Sequence, residues 1–301
     1  MKILFIASRF SYPPLRGDQV RAYHFLRILN LRHEVTLVAP KTKAVDSRLQ
    51  EEGRRLCRRL VLVPFRKREA LRSMMRFPFC HLPLQVLYYC PPIFAKTVRE
   101  LLRREHFDLV HVQLARMAPA VATVRDVPKV IDFIDALSLN MRRRASLEPW
   151  PLSGLFGWEA GRMSRYEGEL LTSFSQQVIT SPADRAAIGD YKTLHVVPNG
   201  VNLEDFPYSE DGREPGCIVF TGRMGYFPNA EAAVYFATRV FPMVRKAEPG
   251  ARFVKGLILT IAQLCLILLA SLVLARAVRL GSALLRIGPR RACKVCGHDP
   301  A

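Results

Sequence analysis

The chain has 301 residues and half of them are apolar, which excludes a wholly disordered protein and leaves room for one large or two modest domains. Its formal charge is +19, because 45 Lys and Arg face only 26 Asp and Glu. This surplus favours anionic partners such as nucleotide diphosphates or acidic lipid headgroups, whereas no nucleic-acid-binding motif is visible and we expect no nucleic acid partner.

The first forty residues predict a βαβ unit with a long first loop. The apolar run 2–8 indicates a buried parallel strand, residues 20–31 have apolar side chains at helical spacing, and residues 33–39 indicate the next strand. The loop that ends at Gly17 follows the carboxyl end of the first strand, where doubly wound sheets bind ligands. Gly17 is therefore either a ligand contact or a residue that merely permits the turn before the helix.

Residues 41–105 are dense in Arg and Lys, and residues 77–93 combine aromatic side chains with Pro. Two interpretations of 77–93 stay open. The segment is either a mobile lobe that contacts lipid or core packed under a long connection. Its composition favours the core.

Two further apolar runs predict strands that end in polar residues. The first, 108–113, contains His111, and the second, 129–135, ends at Asp135. Strand alternation places Asp135 on the same face as Phe133. His111 is a candidate for facing a cleft or for a structural role inside the sheet. Asp135 is a candidate base or ligand for a hydroxyl group, or else a hydrogen-bonded loop residue.

The most informative stretch is 194–226. An apolar run at 194–197 stops at Pro198-Asn199-Gly200, where Pro cannot join a strand ladder and Asn-Gly favours a sharp turn. A polar stretch, 208–216, reads as a linker. A second apolar run, 218–221, then ends at Gly222-Arg223. The pattern is a strand, a turn, a linker, and a second strand followed by a loop with glycine and a cation.

This pattern resembles the junction between the two domains of GT-B glycosyltransferases, and is most similar to glycosyltransferase family 4. Many members have His before the Asp that matches Asp135, and Ile134 at this place resembles a subgroup associated with exopolysaccharide and PEP-CTERM systems. The resemblance covers about residues 1–254. It implies an α/β fold of GT-B type: a complete Rossmann-like doubly wound domain over 1–207, a linker over 208–216 and the start of a second Rossmann-like domain over 217–254.

The resemblance also implies roles for particular residues. Gly17, Gly222 and Arg223 would bind the donor diphosphate, Asp135 and His111 would serve as catalytic residues, and Asn199 with Gly200 would form the hinge beside the cleft. The expected partners are a nucleotide-sugar donor and a glycan or lipid-linked acceptor. No cofactor or metal is expected, and the anomeric configuration would be retained.

After Val254 the resemblance stops, since the Gly-rich loop and the E-x7-E motif of the family do not follow. The uncharged run 256–275 has the length of a membrane span and predicts an apolar helix over 255–280, before a basic, disordered tail over 281–301. Cys293, Cys296 and His298 are too few ligands for structural zinc. The tail is either that of a membrane-tethered variant or the product of a reading-frame shift or truncation, which we favour.

The expected function is transfer of a sugar from a nucleotide-sugar to a polysaccharide or glycoconjugate acceptor at the inner face of a bacterial cytoplasmic membrane. Scattered Cys and no recognised secretory signal indicate the cytoplasm. We expect this chain itself to be inactive, because donor contacts are missing. Two alternatives stay open: a membrane-associated binding module or inactive remnant, and a nucleotide-sugar epimerase of the same fold.

Overall fold

The computed structural model describes residues 1–42, 44–204, 206, 208, 214–222, 224–225 and 227–257. The chain divides into two units, one over residues 1–202 and one that starts at residue 203.

The first unit is built on a seven-stranded sheet in which every neighbouring pair is parallel. Its strands are β1 (Lys2–Ile6), β2 (Glu34–Lys41), β3 (Arg59–Pro64), β4 (Leu109–Gln113), β5 (Lys129–Ile134), β6 (Gln176–Ile179) and β7 (Leu194–Val196). The spatial order is β3-β2-β1-β4-β5-β6-β7, so the direction of winding reverses between β1 and β4. Such a reversal opens a crevice outside the carboxyl ends of the two strands.

Helices connect these strands. They are α1 (Gly17–Asn30), α2 (Ser47–Arg54), α3 (Lys67–Met74), α4 (Leu84–Tyr89), α5 (Pro92–Arg104), α6 (Leu137–Ala145), α7 (Leu152–Ser173) and α8 (Pro182–Ile188), with short 3-10 segments at Phe77–Phe79 and Ala115–Val121. Both faces of the sheet are covered. Alternation along β1 sends Phe5 to a cluster with Ala22 and Leu26 of α1, and sends Leu4 and Ile6 to a second cluster that includes residues of α5 and α7. The doubly wound α/β prediction is thereby confirmed for this unit.

The segment 77–93 contributes to the core, as its composition favoured. Val86, Leu87 and Cys90 are buried in the core, whereas Phe79 is 90% exposed. The α4 helix therefore belongs to the core, whereas Phe79 ahead of it lies at the surface.

Helix α7, at 22 residues, runs along the first unit from Leu152 to Ser173. Two of its carboxylates are buried beneath the starts of other helices. Glu159 accepts a hydrogen bond from the backbone N–H of Gln85 in α4 at 3.1 Å, and Glu167 accepts one from that of Ser138 in α6 at 3.3 Å. Neither of those helices has a side-chain cap of its own, so α7 satisfies backbone donors that its neighbours leave free.

The described part of the second unit forms a parallel βαβ element. Strand β8 (Cys217–Gly222) pairs with β9 (Arg252–Leu257), and between them lie α9 (Phe227–Tyr235), a π-helical turn (Phe236–Val240) and α10 (Phe241–Ala247). The rings of Phe236, Phe241 and Phe253 contact one another.

The C-terminal prediction needs one correction. Strand β9 extends through Leu257, because it continues its ladder with β8, so residues 255–257 form strand and not the start of an apolar helix. The remainder of the predicted helix, the basic tail and Cys293, Cys296 and His298 lie outside the described residues. Within the described ranges, no helix is long and apolar enough to cross a membrane.

Candidate functional site

The candidate site lies at the carboxyl ends of β1 and β4, where the winding of the sheet reverses. Gln113 ends β4, and its Nε2 donates to the backbone oxygen of Asp18 at 2.9 Å. Gln19 donates from Nε2 to the backbone oxygen of Phe10 at 2.8 Å. These two amides fix the first turn of α1 against the loop after β1 and the end of β4.

A different hollow, of about 630 Å³, lies at the opposite edge of the sheet and is lined by residues that include Met1, Lys2 and Asp108. Parallel α/β sheets bind ligands outside the carboxyl ends of their strands. We therefore place the candidate site at the carboxyl ends of β1 and β4 and not in this hollow. These two strand ends are called the β1–β4 edge below.

Two arginines share one carboxylate at the β1–β4 edge. Arg9 Nε lies 3.1 Å from Asp18 Oδ2, and Arg116 Nη2 lies 3.9 Å from the same oxygen. Both guanidinium groups face the ring of Tyr89, at 5.5 Å for Arg9 and 4.0 Å for Arg116. Arg9 also donates to the Tyr89 hydroxyl at 3.2 Å. The cluster therefore has a surplus of positive charge.

A buried ion pair lies beside this cluster. Arg21 of α1 donates from Nε to Asp132 Oδ2 at 2.6 Å and from Nη1 to Asn199 Oδ1 at 2.8 Å. The Arg21 and Asp132 side chains are 3% and 0% exposed. Arg21 thus joins α1, the end of β5 and the segment after β7.

The other carboxylate oxygen of Asp132, Oδ1, stabilises a strained turn at Ile134. Asp132 Oδ1 accepts from the backbone N–H of Ile134 at 3.1 Å, and Thr180 donates from Oγ1 to the Ile134 carbonyl at 2.7 Å. Ile134 has φ of 61°, a conformation that a β-branched residue rarely adopts, and the Asp135 N–H reaches back to the Phe133 carbonyl at 2.8 Å. The strained turn ends β5 and sets the direction of Asp135.

Asp135 is partly buried, as a cleft residue would be. Burial raises the pKa of its carboxyl, and the nearby carboxylates of Asp184, Asp132 and Asp18 raise it further, while Arg21 lowers it. A carboxylate with a raised pKa is a better proton acceptor than an exposed one, so the position suits a base or a ligand for a hydroxyl. Its catalytic role stays a prediction.

His111 lies inside the sheet. Its ring stacks on Phe5 at 4.5 Å and meets Phe25 edge-on at 5.9 Å, and its Nε2 is buried without a hydrogen-bond partner. Burial lowers its pKa to about 4, so the ring is neutral at physiological pH. The arrangement is that of a core residue beneath the Arg21–Asp132 pair, and the predicted catalytic role gains no support from these contacts.

The predicted backbone contacts differ in their surroundings. Gly17 is exposed at the start of α1, and a Cβ added to it or to Gly200 would meet no atom within 4 Å. A Cβ at Gly222 in the second unit would lie 3.0 Å from Asn229 Nδ2, so packing alone favours glycine there. Arg223 lies outside the described residues, and its diphosphate contact stays a prediction.

Sequence reasoning missed Arg9, Asp18, Arg21, Arg116 and Asp132. Asp132 was a polar residue inside an apolar run, and that was the one available signal of a buried partner. No group of three or more His, Cys, Asp or Glu side chains suited to a metal occurs within the part of the chain that the structure describes.

Comparison with known proteins identifies a family and similar folds. The model of the glycosyl transferase 4-like domain matches residues 16–200. A sucrose-phosphate synthase from Thermosynechococcus elongatus has a similar structure, with a TM-score of 0.54 at 12% identity over 86% of this chain and 71% of that chain. At this identity the likeness concerns the fold alone.

A more distant structure is Arabidopsis thaliana UGT89C1 complexed with UDP, with a TM-score of 0.41 at 12% identity over 85% of this chain and 65% of that chain. A search of curated proteins finds no match. The family model covers more than half of the chain and includes most of the residues of the candidate site. The chain belongs to the glycosyl transferase 4-like domain family.

Proposed function

We propose that the chain represents a glycosyltransferase that takes a sugar from a nucleotide-sugar donor and directs it to a hydroxyl of a polysaccharide or glycoconjugate acceptor. The observation that carries the proposal is the polar network at the β1–β4 edge, which lies largely within the segment matched by the family model. Ile134, in place of the His of many members, supports the exopolysaccharide-associated subgroup.

The donor diphosphate would be bound by backbone and guanidinium groups. The fourteen-residue helix α1 begins at Gly17 without a side-chain cap, so its first backbone N–H groups are free to bind an anion. Arg223 would add a charged fork that matches diphosphate oxygens. Stabilising the leaving diphosphate in this way is electrostatic catalysis and requires no cofactor from the chain.

Asp135 would act on the acceptor. Its turn is fixed by Asp132 and Thr180, so its carboxylate needs little reorganisation to accept a hydrogen bond from a hydroxyl. Retention of the anomeric configuration is part of the proposal by family resemblance.

We also propose that these residues alone do not complete the transfer. Glu159 and Glu167 have the E-x7-E spacing, but both are buried on α7 and bind the starts of α4 and α6. They are therefore not free to bind a donor sugar. After Gly222, the sequence contains no pair of Glu residues with this spacing.

Membrane contact at a cytoplasmic face is proposed from the surface of the first unit. Phe79 and Trp150 are 90% and 84% exposed. Phe77 meets Trp158 of α7 edge-on at 4.7 Å, which places the Phe79 loop beside the start of that helix. Exposed aromatic side chains in a chain of charge +19 suit an anionic bilayer surface.

A binding module without transfer is the second candidate. All the contacts of the Arg9, Asp18 and Arg21 network described above lie within the first unit, so an acceptor could bind without a donor.

Titration calorimetry of the full chain with a panel of nucleotide-sugars and UDP tests the proposal. We expect UDP binding that Arg223→Met weakens and that Arg103→Met, which removes an exposed arginine of α5, leaves unchanged. Turnover assays run in parallel separate the candidates. Absence of any nucleotide binding would overturn the assignment as a glycosyltransferase. Turnover of any donor would overturn the proposed inactivity.

A further inference from the structure

The side chain of Arg116 is almost fully buried yet makes no hydrogen bond within the described part of the chain. Its residue is 8% exposed, and its Nε is buried without a partner. Its contacts are the 3.9 Å ion pair with Asp18 and the ring of Tyr89 at 4.0 Å. A guanidinium carries five N–H donors, and leaving such donors unsatisfied in a buried place costs free energy.

The charge around Arg116 is not balanced. Asp18 is shared between Arg9 and Arg116, and one carboxylate cannot neutralise two guanidinium groups. Burial lowers the pKa of Arg116 to about 10, and the neighbouring charges of Arg9 and Arg16 contribute, but the group stays protonated at neutral pH. An uncompensated buried cation indicates a place for an anion.

The available donors define the chemistry of that anion. Arg9 and Arg116 approach the same carboxylate oxygen and both face the Tyr89 ring, so their remaining N–H groups and the Tyr89 hydroxyl belong to one cluster. Forked donors suit carboxylate and phosphate oxygens alike. A phosphate offers three terminal oxygens to the remaining N–H groups of the two arginines and to the hydroxyl, whereas a carboxylate offers two.

We propose that Arg9, Arg116 and Tyr89 form a subsite for a phosphate group carried by the acceptor. The inference rests on the proposed function only in naming the ligand as the acceptor, since the anion site itself follows from the contacts. The acceptor is thus an acidic one, either a soluble glycosyl phosphate or a lipid-linked phosphate.

Binding of glucose 1-phosphate to the full chain, measured by titration calorimetry in the presence of saturating UDP, tests the subsite. We expect binding that Arg116→Met and Arg9→Met each weaken at least about tenfold, as loss of a charged hydrogen bond would. Tyr89→Phe should weaken it less, because the ring remains. Arg103→Met is the matched control for the loss of one positive charge and should bind like the original chain.

The Arg9→Met variant tests the subsite even if Arg116→Met fails to fold. The Arg9 side chain is 25% exposed, so its replacement leaves the core intact. Arg223→Met separates the two proposals: it should weaken UDP binding and leave glucose 1-phosphate binding unchanged. If UDP alone displaces glucose 1-phosphate, or if both ligands depend on Arg116 equally, the subsite belongs to the donor and the inference is overturned.

A second arm identifies the source of the phosphate. Phosphatidylcholine vesicles with and without a polyprenyl phosphate are sedimented with the chain. Arg116-dependent cosedimentation only with the phosphate lipid assigns a lipid-linked acceptor, and binding of glucose 1-phosphate alone assigns a soluble one. Tighter binding of glucuronate than of glucose 1-phosphate contradicts the phosphate assignment, as does absence of binding in both arms.

Discussion

The Nε of Arg21 donates to Oδ2 of Asp132 at 2.6 Å, although 111 residues separate the two in sequence. Both side chains are buried, and the pair also holds Asn199 and the backbone of Ile134. One ion pair therefore links α1, the strained end of β5 and the segment after β7. Such buried pairs contribute more to a defined arrangement than to net stability, and we infer that this one orients the loops around Asp135.

Breaking the pair from one side should destabilise the first unit. Arg21→Met or Asp132→Asn leaves a buried group without its partner, and we expect a loss of about 3–5 kcal/mol. The double variant Arg21→Met with Asp132→Asn should lose less than the sum of the single changes, because no charge stays unpaired. Urea unfolding followed by circular dichroism measures this, with Arg103→Met as the control. Strict additivity would show that the two side chains are not coupled.

Gly17→Ala separates a ligand contact from a turn requirement. A Cβ at this position meets nothing within 4 Å, and alanine is the better helix former by about 1 kcal/mol in a helix interior, so stability should stay equal or rise slightly. If the backbone of Gly17 approaches a diphosphate, UDP affinity should nevertheless fall several-fold. Thermal unfolding and UDP titration of the same preparation check both parts. Unchanged affinity would leave Gly17 as a residue of the turn.

Asp135→Asn should affect function and not the fold. Because burial raises the pKa of Asp135, the folded state disfavours its ionised form, and the amide removes that penalty above the folded pKa. We expect equal or greater stability at neutral pH, with the difference vanishing in acid, together with weaker acceptor binding. Unfolding at several pH values and titration with glucose 1-phosphate measure the two effects. A large loss of stability at neutral pH would instead indicate a structural carboxylate.

Glu167 should make stability depend on pH. Burial raises its pKa from 4.5 to about 7, so between these values the folded state binds a proton that the unfolded state has released. Stability therefore falls as pH rises through this window, by up to about 3 kcal/mol at roughly 1.4 kcal/mol per pKa unit. Glu167→Gln should flatten that decline, because the amide does not titrate. Its amide oxygen still accepts the hydrogen bond from the Ser138 backbone N–H.

The difference between the original chain and Glu167→Gln, followed by urea unfolding from pH 4 to 8, isolates this contribution. Glu51→Gln, an exposed position of α2, is the matched control and should leave the profile unchanged. A parallel profile for Glu167→Gln would contradict the assignment.

His111 should act in the opposite direction. Its pKa is lowered from 6.5 to about 4 by burial, so the unfolded state takes up a proton first as pH falls. Stability should therefore decline between about pH 6.5 and pH 4. His111→Phe keeps a ring against Phe5 and Phe25 and should remove the decline, at a cost of less than about 1.5 kcal/mol at pH 7. If the variant also abolishes ligand binding while remaining folded, His111 has a role beyond the core.

Much of the first unit could be predicted from local pattern. Apolar runs of strand length, separated by helical stripes, indicated parallel strands, because burial on both faces demands such runs, and the family resemblance implied a doubly wound domain. The rule that ligands bind at carboxyl ends pointed to Gly17 and Asp135 before any contact was known. The pattern did not determine the helix α7 in full, since its first turn lies in a stretch with weak periodicity.

The chemistry of the site was decided by tertiary structure. Arg9, Arg21 and Arg116 are individually indistinguishable in sequence from the many solvated arginines of a chain with charge +19. What sets them apart is burial and the choice of partner, and both arise only when the order β1-β4-β5 brings together residues about a hundred positions apart. Sequence periodicity predicts which residues are buried. The pairing of charges depends on the distances between them, which are determined by the order of the strands in the sheet.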